Sequence, residues 1–445
     1  MRIASTILFG SLLVSPLFAE SEQKSAILSL ALEQPETVAK PPALNLLPPV
    51  ESLSLEHFET MALASHPGIA HAQARVSAAQ CACHQAGLPP NPTVGYSGNE
   101  IGDVGKAGQQ GFYVGQKFIR GNKLEWNRAV ASQEVRKLQQ ELAARQLRVL
   151  TDVRTAYYAA YVAQQEVKLT AELTELSKQA VATADDLLTA GEGHRADLLI
   201  AEIEAARATA DNRAAANRFD QAWRQLLAVS AQAHMTPAPL EADFESLTWY
   251  DSWEATLDRL LLRSPEIAAA AVEVEKRRAA ICRARAEPVP DISAQVGVQY
   301  DYASEDVIAS VQLVMPIPLW NRNQGGIGEA QAQLVAARRA WETTELDLTQ
   351  RLAIQFQAYQ TAQVRADAFR DEIVPRAQKS LELVTKSYRA GEFGYLVLLT
   401  SQRTFFRVNL EFLDALRNLN ESVHLLDGLL LGGGLQLDYR GLCSE

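Results

Sequence analysis

The sequence predicts a mainly helical fold with a small β part, built from two copies of one unit. The composition is 47% hydrophobic but only 7% aromatic, which favours long packed helices over one bulky globular core. The motif Ala190-Gly191-Glu192 recurs as Ala390-Gly391-Glu392, an offset of 200 residues. In each half, the apolar residues recur at helical spacing up to the end of the first helix. After it, apolar and polar residues alternate. We therefore predict an internal duplication of about 200 residues.

The first 52 residues are predicted to lie outside this duplication. Residues 1–19 have the features of a secretory signal peptide, with Arg2, an apolar run and a small residue at Ala19. A membrane anchor is the alternative, but the apolar run is shorter than the ~20 residues that a spanning helix needs. We interpret residues 20–52 as a proline-containing linker.

The first repeat is predicted to span residues 53–235. Gly87 and the prolines after it end the first helix. Residues 121–190 contain no proline, and their apolar residues follow the spacing of a coiled-coil seam. We therefore predict one long helix over this range. At 1.5 Å per residue, about seventy residues give a length of about 100 Å. The predicted elements are helix 53–86, strands 93–98 and 111–118, helix 121–190 and helix 194–230.

The second repeat is predicted to span residues 251–430, after a linker at 236–250 and before a tail at 431–445. It has the same element order. The openings SHP at Ser65 and RSP at Arg263 correspond in the two repeats. The predicted elements are helix 251–286, strands 292–300 and 307–314, helix 321–390 and helix 395–430.

The four predicted strands carry apolar residues on one face and small polar residues on the other. Val296 and Val298, for example, alternate with Gly297 and Gln299. Such alternation is typical of membrane barrels, although amphipathic hairpins packed on the helices of a soluble protein are the alternative. Four strands cannot close a membrane barrel, because the smallest have about eight. A trimer would supply twelve.

With this element order in both halves, the chain resembles the TolC family of outer-membrane efflux proteins. The motifs MPIPLWNRNQGGIGEAQAQ at Met315 and YRAGEFGYLVLLTSQR at Tyr388 are most similar to the heavy-metal, CzcC- and CusC-like branch. The resemblance implies a homotrimer, with a twelve-stranded barrel in the lipid of the outer membrane and a coiled-coil tunnel in the periplasm. It also implies two partners, a periplasmic adaptor protein and an inner-membrane pump of the RND type.

The resemblance further implies that the two glycine turns are the periplasmic tips. The predicted tip and adaptor-docking residues are Gly191, Glu192, Gly391 and Glu392. The predicted gate residues are Asp197, Tyr388, Phe393 and Val397. Val397 stands where the family has a second acid and Phe393 where drug-efflux members have a basic residue, so we expect an apolar closure without salt bridges.

Other positions receive simpler interpretations. Pro316, Pro318 and Trp320 are predicted to form the junction between barrel and helix, since proline ends strand pairing and tryptophan suits a membrane interface. The CACH motif of Cys81, Cys83 and His84 does not supply enough ligands on one helix face for a metal site. We interpret its cysteines as small buried residues with free thiols.

The predicted function is passive export of heavy-metal cations through an outer-membrane channel. No metal site, cofactor or enzymatic activity is predicted, because no catalytic or nucleotide-binding motif is present. The net charge of −11 disfavours nucleic acid as a partner. The alternatives are the exit duct of a type I-like protein secretion or drug efflux system, and a periplasmic coiled-coil scaffold without a pore.

Overall fold

The computed structural model describes most of the chain from Leu53 onward. It covers residues 53–102, 105, 107–191, 193–232, 235–242, 252–390 and 392–435. The predicted signal peptide, the N-terminal linker, most of the 236–250 linker and residues 436–445 of the predicted tail lie outside the described residues.

The described residues form nine α-helices, one π-helical turn and four strands, in the predicted order. The elements are α1 (Leu55–Ser65), α2 (Pro67–Ala86), β1 (Thr93–Asn99), β2 (Gln109–Phe118), α3 (Lys123–Thr189), α4 (Arg195–Val229), α5 (Trp253–Arg263), α6 (Pro265–Ala286), β3 (Ile292–Asp301), β4 (Asp306–Val314), α7 (Gln324–Ala368), the π-turn (Phe369–Ile373), α8 (Val374–Arg389) and α9 (Tyr395–Asp427).

The first predicted helix of each repeat is two helices in the structure. The breaks fall at His66 and Ser264, whose ψ angles of 120° and 122° are extended. Pro67 and Pro265 follow them, and a residue before proline is disfavoured in the helical conformation. The Nδ1 atom of His66 also accepts the Gly68 N–H at 3.0 Å. The prediction of one continuous helix is therefore wrong in both repeats.

The long helices of the two repeats also differ. Helix α3 is continuous over 67 residues, which corresponds to about 100 Å. Its counterpart is interrupted by the π-turn, in which the Val374 N–H donates to the Phe369 carbonyl. Pro375 follows at once and lacks an N–H. The predicted single helix 321–390 is therefore α7, the π-turn and α8.

Two buried clusters hold the helices together, one in each repeat. In the first, the rings of Phe58, Tyr157 and Trp223 pack at centroid distances of 5.8 and 6.1 Å around Phe58. The second surrounds Leu348 and Leu352 of α7, together with side chains of α5 and α9. Each repeat thus has its own core around its long helix.

Ion pairs join the two repeats along α3 and α6. Glu266 of α6 accepts hydrogen bonds from Arg148 of α3 at 2.8 Å and from Arg351 of α7. Glu273 of α6 lies 3.1 Å from Lys137 of α3. Because these acids accept charge-assisted bonds from helices of both repeats, they fix α6 between the two long helices.

The four strands form one antiparallel sheet in the order β1-β2-β3-β4. Strand β2 of the first repeat pairs with β3 of the second, with Val114 opposite Val296 and Phe112 opposite Val298. The sheet therefore joins the repeats edge to edge. Among the described residues, the outer edges of β1 and β4 have no partner strand.

Within the part of the chain that the structure describes, no helix combines the length and hydropathy needed to cross a bilayer.

Candidate functional site

The turn between α3 and α4 carries the first set of predicted tip residues. Helix α3 ends as the Ala190 N–H donates to Asp186 at 2.9 Å. Gly191 follows with a φ of +76°, a conformation that glycine adopts without a steric cost. The Gly193 N–H then returns to Leu187 at 3.0 Å. Gly191 is exposed, and Glu192 lies outside the described residues.

The turn between α8 and α9 is closed in a related way. The Ala390 N–H donates to Lys386 at 3.1 Å, and the Glu392 N–H donates to Ser387 at 2.9 Å. Helix α9 begins after Gly394, whose ψ of 159° is extended. Glu392 is exposed, whereas Gly391 lies outside the described residues. That these turns dock an adaptor stays a prediction.

A pair of tyrosines lies beside the second turn. The rings of Tyr388 and Tyr395 are 6.4 Å apart. The pKa of Tyr395 is raised, first by burial and then by the charges of Tyr388, Glu204 and Asp197, while Arg403 opposes them. Two predicted gate residues, Asp197 and Tyr388, thus both lie within electrostatic reach of Tyr395, a residue for which no role was predicted.

An ion pair joins α4 to α9 close to these residues. The guanidinium of Arg403 holds the carboxylate of Glu204 with two hydrogen bonds, one of them 3.0 Å long. The Glu204 side chain is 14% exposed and that of Arg403 is 51% exposed. The bonds to Glu204 raise the pKa of Arg403. The fork geometry makes this a strong type of charged contact.

Glu204 and Arg403 were not predicted from the sequence, although the duplication contained a signal. Glu204 lies 13 residues after Gly191 (204 − 191), and Arg403 lies 12 residues after Gly391 (403 − 391). Opposite charges at matching distances from the two turns lie at similar heights on neighbouring helices. Comparing the two repeats for complementary charges would have found the pair.

The other predicted gate residues, Phe393 and Val397, are exposed apolar side chains. Val397 also lines a groove of about 440 Å³ between α8 and α9, whose wall includes Val384, Leu396 and Thr400. A gate role for these residues stays a prediction.

The predicted junction residues lie between β4 and α7. Trp320 is 87% exposed. It lines a cleft with Pro316 and Pro318. Asp291 also lines this cleft and is 2.9 Å from Lys123 and 3.2 Å from Lys117. Helices α3 and α7 both begin after an asparagine in the left-handed conformation, Asn122 and Asn323, so the two repeats turn from strand to helix in the same way.

The two faces of the sheet differ sharply in chemistry. One face presents exposed apolar side chains. They are Val94, Tyr96, Phe112, Val114, Val296, Val298, Val307, Val311 and Leu313. The other face carries mostly small and polar residues, together with Tyr113 and Ile308, and there Gln299 donates to the Ser97 hydroxyl at 3.0 Å. An exposed apolar band of this kind marks a surface that meets lipid or another chain.

The cysteines of the CACH motif are less buried than predicted. Cys81 and His84 are exposed, so the prediction of a buried Cys81 is wrong. Cys83 is half-buried and lies 3.7 Å from the Arg128 carbonyl. Cys81, Cys83 and Cys282 are free thiols. No group of three or more metal-ligating side chains occurs in the described part of the chain.

A sheet with one apolar face, joined to two long helical hairpins, defines the class of outer-membrane channel proteins. The family described as "Outer membrane efflux protein" matches residues 60–232 and 256–432. The chain belongs to this family, whose members are channels and not enzymes. The protein is accordingly an outer-membrane protein that extends into the periplasm, as the sequence analysis predicted.

Individual relatives agree with this assignment. The chain is 24% identical to the cobalt-zinc-cadmium resistance protein CzcC of Cupriavidus metallidurans over 316 residues, which cover 71% of this chain and 74% of CzcC. The structure of CusC matches with a TM-score of 0.71 at 18% identity, over 91% of this chain and 100% of CusC. A membrane protein of Pseudomonas aeruginosa matches with a TM-score of 0.69 at 20% identity, over 84% and 93% of the two chains. These matches confirm the predicted fold and the resemblance to the heavy-metal branch.

Proposed function

We propose that the protein is the outer-membrane channel of a tripartite efflux pump and conducts heavy-metal cations passively to the exterior. Three chains would close a barrel of twelve strands by pairing β4 of one chain with β1 of the next. An inner-membrane pump, of the RND type, would supply the energy, and a periplasmic adaptor would connect the pump to the channel.

The observation that carries the proposal is the four-stranded sheet, which has one apolar face and whose two outer edges lack a partner strand in the described part of the chain. Unpaired edges expose backbone donors and acceptors, which must find partners inside a membrane. Closure with further copies satisfies them, and it leaves the apolar face toward lipid and the polar face toward the pore. A coiled-coil scaffold without a pore would need neither feature.

The proposed substrate class rests on separate support. The relative CzcC is a cobalt-zinc-cadmium resistance protein. The net charge of −11 also suits the passage of cations. Protein secretion and drug efflux remain the competing functions for the same architecture.

We propose that the two turns form the periplasmic tip. Gly191, Glu192, Gly391 and Glu392 would meet the adaptor there. Tyr388, Phe393 and Val397 would close the pore by apolar contact, because a hydrophobic constriction of a pore excludes water and ions. Asp197, half-buried and within electrostatic reach of Tyr395, would be the charged member of the gate.

Drug and metal susceptibility of a deletion strain tests the proposed substrate. We expect the strain to become more sensitive to cobalt, zinc, cadmium, copper or silver, and to regain resistance when the gene is restored on a plasmid. Sensitivity to hydrophobic drugs with unchanged metal tolerance would contradict a metal substrate.

The same protein must also behave as a channel. We expect SDS-resistant trimers in the outer-membrane fraction and ion conductance when purified trimers are inserted into a planar bilayer. A monomer recovered from the periplasm would overturn the proposed architecture, whatever the susceptibility results.

A further inference from the structure

The apolar face of the sheet has about the height of a membrane. On β3 it runs from Ile292, next to the helices, to Tyr300, next to the loop that follows. These residues are eight steps apart (300 − 292), which gives about 26 Å along the strand and about 20 Å along the membrane normal at a tilt of about 40°. Apolar bands of outer-membrane barrels are about 25 Å tall. In the proposed barrel, the two ends of the face would therefore lie at the two membrane surfaces.

The two ends of this face differ in their side chains. Next to the loop, the rings of Tyr300 and Tyr302 pack at 4.9 Å. Next to the helices, the face ends in the exposed side chains of Phe118 and Met315, and Arg120 lies beside them. A guanidinium at this height would meet lipid headgroups and not acyl chains.

Arg120 has unused hydrogen-bond donors. Its backbone N–H donates to the Asp291 carboxylate at 3.2 Å, which fixes the main chain. Its side chain is directed to Met315, with Nη1 3.9 Å from the sulfur. A thioether is a weak acceptor, whereas a guanidinium has five N–H donors. Arg120 is exposed, and in the described part of the chain no carboxylate forms an ion pair with it. Its side chain can therefore hold a ligand from outside the chain.

The other cations at this junction are already compensated. Asp291 lies 2.9 Å from the buried Lys123 and 3.2 Å from Lys117. Lys117 stands on the polar face, opposite Ser293. Because one carboxylate already serves two lysines, it does not neutralise Arg120 as well. The uncompensated positive charge therefore lies at the foot of the apolar face.

We propose that Arg120 binds the phosphodiester of a phospholipid in the periplasmic leaflet of the membrane, one lipid per chain. The planar guanidinium matches two phosphate oxygens at once. A membrane lipid fits this place because Arg120, Met315 and Phe118 are contiguous, so the acyl chains of the same molecule can lie along the apolar face. The bound lipids fix the depth of the barrel in the bilayer. This inference rests on the proposed channel function.

Native mass spectrometry of purified trimers titrated with dioleoyl phosphatidylglycerol tests the inference. We expect Arg120→Gln to weaken lipid binding about tenfold, because it removes charge-assisted hydrogen bonds and leaves the backbone contact to Asp291 in place. Arg120→Lys keeps the charge without the fork, so its loss should be smaller. Arg207, an exposed residue of α4, provides the control, and Arg207→Gln should bind as the unmodified protein does. Equal weakening by Arg120→Gln and Arg207→Gln would reveal a general charge effect and refute the site.

Two further ligands separate a lipid site from a simple anion site. Inorganic phosphate at the concentration of the lipid should not displace it, and displacement would contradict a lipid site. Dioleoylglycerol has the same acyl chains without the phosphate. It should bind equally to the unmodified protein and to Arg120→Gln, and a tenfold difference here would show that Arg120 does not act through the phosphate.

The outcomes also separate this inference from the channel function. If Arg120→Gln trimers assemble, conduct and bind the phospholipid as tightly as the unmodified trimers, the lipid site is refuted while the channel stands. If the unmodified protein forms no trimers and does not conduct, the proposed channel itself is refuted, and with it the lipid site.

Discussion

At the scale of single residues, His424 shows how burial sets charge. It lies on α9 and is 5% exposed, and its ring lies 4.9 Å from that of Tyr158. Burial and the nearby Arg154 lower the pKa of His424 to about 4, against an ordinary value of 6.5, although Asp427 opposes them. The folded protein therefore keeps this histidine neutral over most of the acid range.

This shift predicts a loss of stability in acid. As the pH falls from 6.5 toward 4, the unfolded chain binds a proton at His424 and the folded chain does not, so the free energy of unfolding decreases by up to about 3 kcal/mol. His424→Gln should flatten the pH dependence of the urea midpoint of the detergent-purified protein in this interval. Equal slopes for His424→Gln and the unmodified protein would contradict the role of His424.

Single residues also mark the limit of the sequence-based site prediction. Tyr388 and Asp197 were predicted as gate residues through the family resemblance, and that role stays a prediction, although both lie within electrostatic reach of Tyr395. Glu204 and Arg403 were not predicted, because their pairing depends on which faces of α4 and α9 meet. That orientation follows from tertiary packing and not from the composition of either helix.

At the scale of elements, β2 is the strand that connects the repeats. Gly111 lies between Ser97 of β1 and Gln299 of β3. A methyl group on its Cα would overlap the carbonyl oxygen of Val298 and the Cα of Gln299. The close approach of the two backbones at this point requires glycine.

Gly111→Ala is therefore expected to destabilise the sheet by about 1–3 kcal/mol, the usual cost of overpacking. The measurement is the temperature at which SDS-resistant trimers dissociate, and this temperature should fall. Gly325→Ala is the control, because nothing lies within 4 Å of the added methyl group and the site is in α7, where alanine favours the helix. A fall of the same size in both variants would argue against the packing explanation.

The elements themselves were largely predictable from the sequence. The alternation gave strands 93–98 and 292–300, against Thr93–Asn99 and Ile292–Asp301 in the structure. The breaks at Pro67 and Pro265 were not predicted, because a proline at the first position of a helix is compatible with a continuous apolar pattern. The π-turn before Pro375 was missed because the second repeat was assumed to copy the first.

At the scale of the whole molecule, the orientation of the sheet in the membrane can be tested with neighbouring residues. Val311 and Gln312 are adjacent on β4 and point to opposite faces. Val311 is 72% exposed in the single chain, so a lysine there would cost little if the face met water. In lipid, it should cost about 2–4 kcal/mol near the bilayer centre.

Val311→Lys is therefore expected to reduce the amount of folded trimer in the outer membrane strongly, whereas Gln312→Lys should assemble normally. Heat-modifiable mobility on gels measures the folded fraction of each variant. Equal assembly of the two variants would mean that the apolar face does not meet lipid.

The pairing of β2 with β3 has a further consequence for the assembly. The hairpins β1-β2 and β3-β4 are pseudo-equivalent, so a ring of three chains has approximate sixfold symmetry in its sheet. Each boundary between chains, β4 against the next β1, then repeats the geometry of a boundary that lies inside every chain. Three of the six boundaries between hairpins would lie within a chain, as β2 against β3 does. Their register predicts the register at the three boundaries between chains.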